Sequence, residues 1–167
     1  QAIALLNDSN LDTNAEDVLL FKASLEANEQ RYNEALQSAN KLTLLQPDNY
    51  HYANLSADLN IRLGNLKDAE TTLHKILFKD ADNIAALMNL TRVEFAQNKL
   101  SASLTSIEKV IALAPTNTAA LILHAQILVK QNELDSAIES LLTAKALAPN
   151  SAGPHELLVN IYRQQQK

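Results

Sequence analysis

A chain of 167 residues with a net charge of -5, no cysteine and two glycines excludes several chemistries at once. Neither a disulfide framework nor a thiolate metal site is available without cysteine, and Gly64 and Gly153 alone make no glycine-rich phosphate loop. The acidic balance argues against nucleic acid as the main ligand, and no apolar run approaches the roughly 18 residues of a membrane span.

Residues 1–14 carry Ala2, Leu5 and Leu6 at helical spacing, followed by turn residues. They read as the second helix of an earlier unit with its exit turn. The chain opens inside that helix without an initiator methionine, so it reads as part of a longer protein. Residues 15–49 predict a pair of helices, with Val18, Phe21 and Leu25 inward and Tyr32 opening the second helix. Asp8, Asp12, Glu16, Asp17, Glu26, Glu29 and Glu34 make this end acidic and are expected on a solvated face. Three further pairs follow over 50–83, 84–117 and 118–151. Residues 152–167 predict one more helix, with Pro154 in its first turn, where a missing N–H is harmless. There Leu157, Leu158 and Ile161 pack backwards, and His155, Glu156, Asn160 and Arg163 offer a polar outer face. This helix either caps the array or begins a fifth pair.

The pairs repeat with a period of 34 residues, the mark of an array of helical hairpins. Ala23, Ala57, Thr91 and Ala125 form a small column in the first helices, and Ala35, Ala69, Ser103 and Ala137 one in the second. Small side chains at both places let paired helices approach closely. Leu25, Leu59, Val93, Ile127 and Ile161 are apolar throughout, as are Leu73, Ile107 and Leu141 in the second helices, with Ala39 in the same column. The punctuation is periodic too. Asn49, Asn83, Asn117 and Ser151 stand where a side-chain oxygen can cap a first helix. Pro47, Pro115 and Pro149, with Ala81 in the remaining place, stop the preceding helix. Gly64, Asn98, Asn132 and the weaker Gln30 fall where a left-handed residue closes the first helix of each pair.

These columns resemble the tetratricopeptide repeat (TPR) family over nearly the whole chain. Ala125, Ala137 and Pro149 fill its small and proline places in the best-matched unit, and Leu121, Leu128, Leu134 and Leu141 its large apolar ones. The family's aromatic near the start of each unit is replaced by Leu19, Ala53, Leu87 and Leu121. Lys22, Ser56 and His124 stand where leucine is usual; Leu90 conforms. Phe21 and Leu55, one residue earlier, are expected to take over that packing. The resemblance implies an all-α solenoid, a right-handed superhelix of about four full repeats with a half repeat at each end.

Chemistry is scarce. His51, His74, His124 and His155 lie in different units and never pair at metal-ligand spacing. No serine lies in a nucleophile elbow, and HExxH is absent. His124 reads as a buried or half-buried packing residue. The expectation is a protein that is not an enzyme and needs no cofactor.

In the family the first helices line a concave face that holds a partner. Carried over, that face is Asn54, Leu55, Asp58, Ile61 and Arg62 in the second repeat, and Met88, Asn89, Arg92 and Phe95 in the third. The fourth repeat supplies Ile122, Leu123, Gln126, Val129 and Lys130. The carboxylate clamp of chaperone-binding members is absent, since at best one of its places is matched, by Asn89. What remains is an apolar groove with polar studs, suited to an extended peptide or a partner helix. Two readings stay open: these apolar residues line an open groove, or they pack between neighbouring helices.

The resemblance therefore implies a non-catalytic scaffold for a protein or peptide partner, without nucleic acid or membrane insertion, and with self-association available. Family analogy suggests a bacterial parent, in a cell-envelope or polysaccharide-export assembly. The competing readings are a structural spacer or oligomerisation module, or a regulatory segment of an enzyme lying outside this stretch. The sequence leaves cytoplasm and periplasm equally open.

Overall fold

The computed structural model describes residues 15–165; the helix expected over 1–14 lies outside them. Among the described residues there are nine α-helices and no strand. They are α1 (Glu16–Asn28), α2 (Tyr32–Leu45), α3 (Tyr50–Arg62), α4 (Leu66–Lys79) and α5 (Ile84–Ala96). Then come α6 (Leu100–Leu113), α7 (Thr118–Lys130), α8 (Leu134–Leu147) and α9 (Ala152–Gln165).

Two kinds of turn join them, each with one cause. Within a hairpin the turn closes on a left-handed residue: Gln30 at φ 60°, Gly64 at 79°, Asn98 at 60° and Asn132 at 65°. The residue after each returns its N–H to a carbonyl of the helix just ended, as in Arg31 to Glu26 at 2.8 Å and Lys99 to Glu94 at 2.8 Å. That geometry satisfies carbonyls a helix end would otherwise leave open. Between hairpins, an asparagine oxygen caps the next helix. The Asn49 Oδ1 accepts from the His51 N–H at 3.1 Å, that of Asn83 from Ala86 at 3.0 Å, and that of Asn117 from Ala120 at 3.1 Å. The left-handed column and the three asparagines do what their residue types predict.

The chain divides into two compact units, 1–89 and 90–167, with the boundary inside α5. In the first unit, α1 packs on α2, α2 on α3 and α3 on α4. One core cluster joins Leu19, Leu42 and Tyr52, with Leu20 against it. A second joins Ala35, Ala39 and Leu59, with Leu55 and Tyr32 against it. In the second unit, α6 packs on α7, α7 on α8, and α9 on both α8 and α7. Its core joins Ala125, Leu128, Ala137, Leu141, Leu158 and Ile161.

The inward faces correct two expectations about α1. Its buried stripe is Leu19, Ala23 and Glu26, at helical spacing of four and three. Phe21 lies about 200° round the helix from Leu19 and is 55% exposed, so it does not take over the packing place next to Lys22. Leu55 does pack inward. Glu26, expected on a solvated acidic face, is 2% exposed. Its carboxylate accepts from the Ser38 hydroxyl at 3.1 Å and lies 3.9 Å from the Lys22 ammonium. A buried carboxylate persists only with such partners.

Candidate functional site

In the second unit the last turn of α5, α7 and α9 enclose a cleft of about 360 Å³. α7 is positioned by its Asn117 cap and by the left-handed Asn132 after it. Ala125 and Leu128 pack on α8, Val129 lies beside Ala125 at the edge of the same core, and Gln126 and Lys130 lie further round the helix. Phe95 comes from α5 and Leu157 from α9, while Ala125 and Leu141 form the floor. Gln126, Val129 and Phe95 are half-buried, and Lys130 is exposed in the last turn of its helix, where a cation is favoured. Lys130 makes no ion pair among the described residues. The cleft can therefore take an apolar side chain, offer an amide to a backbone, and place one positive charge at its edge.

Four of the residues expected on the partner-binding face, Phe95, Gln126, Val129 and Lys130, come together in this cleft. Ile122, half-buried on α7, sits against α9 instead, where a Cβ built on Gly153 would meet its Cδ1 at 3.6 Å. Leu123 was expected to be an exposed apolar liner and is 9% exposed. The reason is rotation: Leu123 stands between Ala120 and Ile127 on the buried side of α7. Arg92 is exposed. Sequence reasoning missed Leu157, which it assigned only to backward packing; its place in the cleft follows from α9 lying against α7.

The first unit holds the remaining candidates differently. Asn54 and Asn89 were expected as exposed polar studs, but are 7% and 8% exposed. The Asn54 amide donates to the Asn83 side chain at 3.2 Å, and the Asn89 amide to the Asn54 carbonyl at 3.5 Å. These amides tie helices together and are not presented outward. Asp58 and Arg62 pair at 2.7 Å one helical turn apart, and the Arg62 guanidinium stacks over the Tyr32 ring at 5.7 Å. The hydrogen bond and charge of Asp58 raise the guanidinium above its already high range. Met88 and Ile61 are half-buried.

His124 is half-buried, as expected. Its Nδ1 lies 2.9 Å from the Ser140 hydroxyl, which itself donates to the Ser136 carbonyl at 3.1 Å. Burial pushes this imidazole below its ordinary value, opposed by the carboxylates of Glu108 and Glu133. In the first unit, the Glu16 carboxylate accepts from both the Gln46 amide and the Tyr52 phenol. That bond raises the Tyr52 phenol above its usual range. No group of three or more metal-ligating side chains occurs among the described residues, and no helix there is long and apolar enough to cross a membrane.

Stacked antiparallel hairpins, closed by left-handed residues and capped by asparagine at a constant period, define a helical-repeat protein. Family profiles described as Tetratricopeptide repeat match residues 22–84 and 94–161, and the chain belongs to that family. No curated protein matches the sequence. Among solved structures, the thermophilic TPR protein TTC0263 of Thermus thermophilus superposes with a TM-score of 0.80 at 17% identity, over 90% of this chain and 83% of that one. YrrB, a TPR protein with an unusual peptide-binding site, gives 0.70 at 16% identity, over 93% and 81%. The first TPR of Spaghetti (RPAP3), bound to an HSP90 peptide, gives 0.65 at 16%, over 69% and 91%. At such identities the likeness shows the fold alone.

Proposed function

We propose that this chain is a non-catalytic interaction scaffold that holds a peptide or partner helix in the cleft between α5, α7 and α9. The observation that carries the reading is the convergence of Phe95, Gln126, Val129 and Lys130 around one apolar hollow. A large apolar side chain of the partner fits against Phe95, Val129 and Leu157. The Gln126 amide is placed to bond its backbone, and the Lys130 ammonium favours a carboxylate beyond the apolar residue. Peptide binding by YrrB and by the RPAP3 repeat supports this use of the fold.

Panning a random peptide library against the chain tests it. Selected sequences should carry an aromatic or branched apolar residue near an acidic one. Val129→Glu should abolish their binding, because it sets a carboxylate against the apolar anchor. Lys130→Ala should weaken it, most visibly at low salt. Peptides that bind both variants as well as the parent would move the site elsewhere.

A further inference from the structure

We infer that the first unit carries a binding site of its own, a hollow between α2, α3 and α4 that takes a large apolar residue of an extended acidic peptide. The first helices share a column near their start: Leu19, Ala53, Leu87 and Leu121, all buried, at 2%, 8%, 5% and 5% exposed. In α3 alone the place falls to alanine, which lacks the branched end of leucine. A hollow of about 610 Å³ opens over Ala53. Thr43 and Pro47 line it from α2 and its exit turn, and Thr72 and Ile76 line it from α4. A side chain cut short in a packed array leaves a space that its neighbours close only in part. Both helices that pack on α3 here are in place, so the space belongs to the finished repeat.

The rim identifies the occupant. Ala53 and Ile76 are buried and Thr43 and Thr72 half-buried, so the floor suits a leucine or phenylalanine side chain. Phe78 stands at the lip, 86% exposed, and offers an aromatic face beside it. Lys75 and Lys79 also line the hollow, both exposed, and neither makes an ion pair among the described residues. Asp48 is the one acidic residue of the lining. Two unpaired ammonium groups around an apolar hollow, on a chain of net charge -5, favour an anionic partner. Four residues of helix set the two lysines about 6 Å apart along the axis of α4. Alternate residues of an extended peptide lie roughly 7 Å apart on one side. Such a peptide lying along α4 sets two alternate carboxylates against Lys75 and Lys79, while the next residue on that side enters the hollow. None of the lining residues belongs to the cleft of the second unit, so the loss of one site leaves the other.

NMR titration of the isotope-labelled 167-residue chain with a synthetic peptide containing Glu-Ser-Glu-Ser-Phe, at low salt, tests this. Saturable shifts should fall on Ala53, Thr72 and Ile76. The same peptide with lysine for glutamate should bind more weakly by about tenfold or more. Ala53→Leu fills the hollow with the side chain its column holds in the other repeats. It should stay helical, melt no lower than the parent and bind about tenfold or more weakly. The surface pair Lys75→Glu and Lys79→Glu, made together, should weaken binding as strongly with an unchanged circular dichroism spectrum. Val129→Glu, in the other unit, should still show the parent's shifts at Ala53. A parent chain without saturable shifts at Ala53 and Ile76 would overturn the proposal, as would a folded Ala53→Leu or a lysine pair variant that binds like the parent. Shifts there that grow with chain concentration in the absence of peptide would also overturn it, and give the hollow to a second copy.

Discussion

The Ser106 hydroxyl donates to the Glu94 carboxylate at 2.8 Å, from the second helix of a hairpin to the first. Ser38 and Glu26 make the same bond at 3.1 Å two repeats earlier, with the same separation of twelve residues. The intervening repeat has Asn60 in place of the glutamate, and the last has Leu128 there, with Ser140 turned to His124 instead. Two buried carboxylates thus depend on hydroxyls across the hairpin. Ser106→Ala should destabilise the chain by about 1–3 kcal/mol, since it removes a partner from a buried charged acceptor. Thr105→Ala, beside it on the exposed face, should change stability by less than about 0.5 kcal/mol. Urea denaturation of both variants checks the contrast.

The rotation of α7 yields a second contrast. Leu123 is 9% exposed, whereas Val129 lies in the cleft wall. Leu123→Glu should cost roughly 2 kcal/mol or more, because the new carboxylate is desolvated without a partner. Val129→Glu, at a half-buried place on the cleft wall, should cost less than Leu123→Glu while removing peptide binding. Equal melting temperatures for the two would show that α7 is turned differently.

His124 gives a pH dependence of known sign. Burial lowers its folded-state pKa below the ordinary 6.5, so between the two values the unfolded chain binds more protons than the folded one. Stability from this site is complete above about pH 6.5 and is lost as pH falls towards the folded value. His124→Gln should flatten the decline in melting temperature between about pH 7 and pH 5.5. An NMR titration of the ring should place its midpoint below that of a free histidine. A midpoint above 6.5 would reverse the sign and remove the explanation.

Gly64 closes the second hairpin at φ 79°, and a Cβ there would meet nothing within 4 Å. Any cost of substitution is therefore backbone conformation and not collision. Gly64→Ala should destabilise by about 1–2 kcal/mol, and Gly64→Asn by less, since Asn98 and Asn132 already hold this conformation at φ 60° and 65°. Thermal melts of the two variants decide the order.

By itself the sequence determined the repeat, the helices and their punctuation. Each of these is a local matter: a proline that cannot continue a helix, an asparagine oxygen within reach of a free N–H, a glycine or asparagine that tolerates positive φ. Such signals act within one turn of chain and recur at a constant period, so the boundaries at Asn49, Gly64, Asn98 and Asn117 were legible. What only the tertiary structure decided is which side of each first helix faces inward. Phe21 points out while Glu26 is buried with Ser38, and Leu123 is sealed while Gln126 and Val129 stay open to the cleft. A single helix carries apolar residues over a broad arc, and a small rotation exchanges its edge for its centre. That rotation is set by the neighbouring helix: by Ser38 reaching Glu26 in the first hairpin, and by α9 leaning its Leu157 towards Val129 in the last.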